Sequence, residues 1–214
     1  MISDAFAYPF KGAGKYMLII GAILSLLAAG ASYIPFLGLL IAIGASGYFS
    51  ACIFKIINFT ACGQDEACEW PVFQDFFSDL VMPWLCMLSV SFFSFVPYVL
   101  VSILFEDSRF LSIVFLVLGF VHLPMAILCV ALSSTMRSAF WAITLPLIAN
   151  CTPQYFILVL VTGGLYLVIS ILNNVLSNIP ILGWFLSFFL GMYSLMVSSL
   201  IIGLFYRENK HLIG

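Results

Sequence analysis

Six long apolar segments, at positions 16–33, 36–59, 80–105, 110–132, 155–176 and 181–206, take up most of this chain. A helix needs roughly 20 apolar residues to cross a bilayer. Six of them plus short connectors consume nearly all of the 214 residues, leaving no room for a soluble catalytic domain. Only 7% of residues are charged and the mean hydropathy is +1.21. Soluble domains carry about 25% charged residues, so this chain has too little polar surface to cover a globule in water. The bilayer is the expected solvent. There every backbone N–H and C=O needs an internal partner, so each segment is expected to be a helix. The expected fold is all-α: a polytopic integral membrane protein of six transmembrane helices in three hairpins, one transmembrane domain over 1–214.

The first sixteen residues do not read as a signal peptide. Asp4 precedes the lysines, and the first apolar segment is long and rich in glycine and alanine. Six spans put both termini on one side. That side receives Lys11, Lys15, Lys55, Arg137, Arg207 and Lys210, and the other receives only Arg109. The bias predicts both termini in the cytoplasm and a multi-pass protein of the cell (inner) membrane.

The loops on the far side are short. Two share a pattern: Ser32-Tyr33-Ile34-Pro35-Phe36-Leu37-Gly38 and Ser177-Asn178-Ile179-Pro180-Ile181-Leu182-Gly183 have Ser, Ile, Pro, Leu and Gly in register, and Tyr48 and Tyr193 hold that register further on. Proline suits such a corner, since it biases the preceding residue away from helix, and Gly38 and Gly183 are expected to let the hairpin arms approach closely. On the cytoplasmic side, the stretch 70–80 sets Trp70, Phe73, Phe77 and Leu80 at helical spacing against Gln74, Asp75, Ser78 and Asp79. Similar elements are expected around Ala5, Phe6 and Phe10, and from Ser138 through Phe140 and Ile143 to Leu147. These are expected to be amphipathic helices lying in the interface plane. The chain then divides into three units, 1–60, 61–133 and 134–214, each an interfacial helix followed by a hairpin. Four spans separate the first hairpin's start from the third's, so the repeats are expected to run parallel.

The segment Glu69-Trp70-Pro71-Val72-Phe73-Gln74-Asp75-Phe76-Phe77 resembles the acidic, tryptophan-bearing stretch before the third span of the domain-of-unknown-function family 4013, a prokaryotic membrane family. The opening Ala5-Phe6-Ala7-Tyr8-Pro9-Phe10 is similar to that family's start. Leu123-Pro124-Met125-Ala126 and Arg137-Ser138-Ala139-Phe140 resemble its later signature. The layout also resembles Yip-type and glycerophosphodiesterase membrane-domain proteins. The segment after Phe140 departs from the pattern by being more apolar, with Leu145-Pro146-Leu147. The resemblance implies the topology and no catalytic or ligand residues.

Polar groups within spans are the candidates for function. His122 stands alone as a histidine in a span, beside Pro124. Asn173 and Asn174 lie near the end of the fifth span, and Thr162-Gly163-Gly164 sits in its middle. His122, Thr162, Asn173 and Asn174 could line a polar or ligand path. The reading favoured for each is structural: a hydrogen-bonded buried histidine, amides joining helices, and glycines that allow tight packing. The cysteines fit no common zinc spacing. No catalytic residue, metal site or cofactor is expected, and the few scattered basic residues argue against nucleic acid. The expected function is a non-enzymatic membrane scaffold or assembly partner, contacting membrane lipids or other membrane proteins. The alternative is a small transporter or permease component.

Overall fold

The computed structural model describes residues 2–31, 34–64, 75, 77–105, 108–176, 178–179 and 182–213. Among them every regular element is helical: α1 (Ile2–Ala7), α2 (Gly14–Ala31), α3 (Pro35–Ala61), α4 (Met82–Leu104), α5 (Arg109–Ser133), α6 (Trp141–Asn150), α7 (Thr152–Leu176) and α8 (Leu182–Ile213). The chain is an all-α polytopic membrane protein. Six of its helices are long and apolar enough to cross a bilayer, and they match the six apolar segments of the sequence. The largest difference is at the end. α8 runs 32 residues to Ile213, about 48 Å at the α-helical rise, well past the hydrocarbon core. Its last turns carry Arg207, Glu208, Lys210 and His211, and its backbone leaves helical values at Asn209 (φ −111°, ψ 16°).

α3 and α8 form the central pair. Each of the other four long helices packs on at least one of them: α2 on both, α5 on both, α4 on α3 and α7 on α8. The two central helices meet closely at Gly203. A Cβ there would lie 2.7 Å from the Thr60 Cβ and 3.0 Å from the Ile57 carbonyl oxygen, so only glycine fits that crossing. Around it lies the main core, with Tyr48, Cys52, Ile56 and Ile57 of α3 against Met196, Val197, Leu200 and Ile201 of α8. Phe36, Leu39, Phe92, Phe110, Phe156 and Leu167 are among the many large apolar side chains left exposed. In water this would be a large penalty; in lipid it is the expected outer surface.

The corners follow the sequence. Ile34 is extended (φ −111°, ψ 103°) ahead of Pro35, which opens α3. The two matching turns bond alike: Ile34 N donates to the Ala31 carbonyl and Ile179 N to the Leu176 carbonyl, both at 2.9 Å, while Gly38 N reaches the Ile34 carbonyl (2.7 Å) and Gly183 N the Ile179 carbonyl (3.0 Å). A Cβ at Gly183 would collide with the Leu176 carbonyl, which is the close approach expected of that glycine.

The three expected interfacial elements differ in outcome. The first is α1 with a 3₁₀ turn, Tyr8–Phe10. It docks on α8, where the Tyr193 hydroxyl donates to the Phe6 carbonyl (3.1 Å) and the Phe10 ring lies 5.8 Å from that of Tyr193. Of the second, 70–74 and 76 lie outside the described residues; its end is a π-helical turn, Phe77–Val81, that leads into α4. The third exists as α6, but it does not rest against the ends of the spans. Its first turn packs on the middles of α4 and α5, so the chain after α5 folds back along that hairpin. The physical reason is that its outward side is apolar: Phe140, Ile143 and Leu145 are exposed and need lipid, not water, while Thr144 is turned inward.

Candidate functional site

The α4–α5 hairpin holds a buried polar centre built around His122. α5 carries Gly119, where a Cβ would lie 2.7 Å from the Ser94 carbonyl oxygen of α4. This lets the two backbones close up and brings the Ser94 side chain within reach of the next turn of α5. There the Ser94 hydroxyl meets His122 Nδ1 at 2.8 Å. From the other side α6 supplies Thr144, whose Oγ1 lies 2.8 Å from His122 Nε2. All three side chains are fully buried.

The proton positions follow from the neighbours. The Thr144 hydroxyl donates within its own helix, to the Phe140 carbonyl (3.3 Å) or the Trp141 carbonyl (3.4 Å). Its oxygen is then the acceptor for Nε2–H, and the Ser94 hydroxyl donates to Nδ1. This assigns the neutral Nε2–H tautomer from the network, with both ring nitrogens satisfied. The Trp141 indole covers the imidazole face, with ring centres 3.9 Å apart and planes at 13°. Its N–H donates to the Phe93 carbonyl of α4 at 2.6 Å. His122 therefore joins three helices.

Two residues further on, Pro124 lies inside α5. Proline lacks an N–H, and its ring crowds the carbonyl four residues earlier. The Tyr155 hydroxyl of α7 enters there. It donates to the Val121 carbonyl and accepts from Met125 N–H (3.2 Å), the two groups that an unbroken helix would bond to each other. A side chain set into the ladder in this way is a recognised cause of helix bending, and it fastens α7 to α5.

The four candidate path residues do not share a hydrogen bond. His122 binds α4 and α6. Thr162 is buried, and its hydroxyl donates to the Leu158 carbonyl of its own helix (2.8 Å). Asn173 is half-buried near the far end of α7, and its Oδ1 has no hydrogen-bond partner among the described residues. Asn174 is exposed, and its carbonyl accepts from the Asn178 amide (3.2 Å). Gly163 and Gly164 lie within continuous helix. A Cβ on either would touch nothing within 4 Å, so neither packs closely inside this chain.

Sequence reasoning missed Ser94, Trp141, Thr144 and Tyr155. Thr144 had a signal, as the sole hydroxyl between Phe140 and Leu147. Ser94 had none, because α4 carries several serines. Among the described residues no cluster of His, Cys, Asp and Glu suits a metal ion. The groups bonded to His122 are hydroxyls, which makes this centre a polar lock between helices. No family model matches the chain, and neither a curated protein nor a solved structure does.

Proposed function

We propose that this protein is a non-enzymatic membrane scaffold or assembly partner that contacts lipids and other membrane proteins through its outer helical faces. The observation that carries this reading is the closed state of the polar centre: both ring nitrogens of His122 are bonded to protein hydroxyls and its face is covered by Trp141. A permeation path needs polar groups open to the solute, and these groups are turned to one another. The same reading puts both termini in the cytoplasm on the strength of the lysine and arginine bias, and the chain in the cell membrane of a prokaryote in part on the family resemblance. It takes the chain as three tandem units, supported by the matching bonds of the two corner turns. It also keeps membership of the domain-of-unknown-function family 4013.

One observation favours the transporter reading instead. α6 turns back onto the middle of a hairpin, and short non-spanning segments of this kind also occur where they line cavities. Two measurements decide between the readings. Purification from native membranes in mild detergent is expected to retain a stoichiometric protein partner. Proteoliposomes holding this protein alone are expected to move no solute; solute flux that disappears with His122→Ala would overturn the scaffold reading.

A further inference from the structure

A groove of about 210 Å³ opens on the surface between α7 and α8, at the end of that hairpin away from the 176–182 turn. Its floor is apolar, with Ile157, Leu158 and Val161 facing Ile201, Leu204 and Phe205. Its mouth is polar, formed by Gln154, Glu208 and Asn209. From Gln154 to Val161, or from Glu208 to Ile201, is about 10 Å along the helix, roughly two thirds of one leaflet's hydrocarbon. The groove thus runs from the membrane surface into the leaflet beside the C-terminus, polar where headgroups lie and apolar where chains lie.

The mouth has a chemical bias. Glu208 is exposed and offers a carboxylate. Asn209 is nearly buried, and its amide nitrogen donates to the Phe205 carbonyl at 2.9 Å, which leaves Oδ1 as its acceptor. The break in α8 at Asn209 sets both residues at the groove's end. Two acceptors, one of them charged, suit a cation that carries N–H donors. A primary ammonium has three such donors, and a quaternary choline has none. Gln154 opposite them supplies an amide donor for the adjoining phosphate.

We propose that this groove binds one phospholipid with a primary-amine headgroup, its acyl chain along Leu158, Val161 and Ile201 and its ammonium on Glu208 and Asn209. The inference rests on α7 and α8 spanning the membrane and deepens the lipid contacts of the scaffold reading; its test involves no protein partner, so failure here leaves the partner measurement standing. The full chain, purified and delipidated in detergent, is titrated by native mass spectrometry with dioleoyl phosphatidylethanolamine, phosphatidylcholine and phosphatidylglycerol. The expected result is a roughly tenfold preference for phosphatidylethanolamine over phosphatidylcholine, the worth of one charge-assisted hydrogen bond. Glu208→Gln, at an exposed position outside the packed core, removes that preference. Val161→Trp, which fills the floor, removes binding of both lipids. Equal binding of the amine and choline lipids would overturn the assignment, as would a preference that survives Glu208→Gln or tighter binding of phosphatidylglycerol.

Discussion

At the level of single residues, each polar side chain in this interior is read best by asking where its hydrogen bonds end. His122 was legible as a candidate because it is the lone histidine in a span, but its partners were not. Ser94 lies 28 positions before it and Thr144 22 after it, and no spacing rule joins such distances. Thr144→Val keeps the side chain's shape and removes the bond to Nε2. The expected loss is about 1 kcal/mol, in the range measured for hydrogen bonds between membrane helices, read as a lower unfolding temperature in detergent. Tyr155→Phe is expected to cost about as much, because the Val121 carbonyl and Met125 N–H can partly re-bond to each other once the hydroxyl is gone. Solute flux from either variant is not expected to differ from that of the parent chain.

At the level of elements, contact distance separates glycines that the sequence presented alike. Gly119 sits against the Ser94 carbonyl, a backbone atom that cannot swing aside. Gly119→Ala is expected to push α4 from α5 and cost about 2 kcal/mol, as overpacking does. Gly163→Ala and Gly164→Ala meet open space and are expected to leave the stability of the isolated chain unchanged or raise it by up to about 1 kcal/mol. Thermal unfolding of the three variants side by side checks the contrast. The spans themselves were readable because apolar length is a local property. The seat of α6 was not. An amphipathic pattern marks which face of a helix meets water, and 140–147 has no such face to mark. In a bilayer both lipid and neighbouring helices accept apolar side chains, so periodicity stops distinguishing outside from inside.

At the level of the whole molecule, the six spans make a statement about sidedness that thiols can test. Cys62 is exposed just past the end of α3, while Cys52, Cys86, Cys129 and Cys151 are buried. Cys151 lies between α6 and α7. Burial pushes its thiol above the ordinary value, opposed in part by a backbone hydrogen bond, and a protonated, covered thiol is inert. In a Cys68→Ala variant, a membrane-impermeant maleimide is expected to label one cysteine, Cys62, in inside-out vesicles and none in intact cells. Mass spectrometry of the labelled peptide checks both the site and the side. Labelling of Cys62 from outside would reverse the predicted orientation.

Apolar length and the turn residues between the segments determined, by themselves, that this chain is an all-α membrane protein with six long helices and two corners of one kind. Hydrophobicity is summed over neighbours in sequence, so it can be read there. Only the tertiary structure decided that α3 and α8 stand at the centre, that α6 folds back on α4 and α5, and that His122 is held between Ser94 and Thr144. Those outcomes depend on fit between distant segments, and in lipid that fit is set by close packing and hydrogen bonds, with no aversion to water to announce it in the sequence.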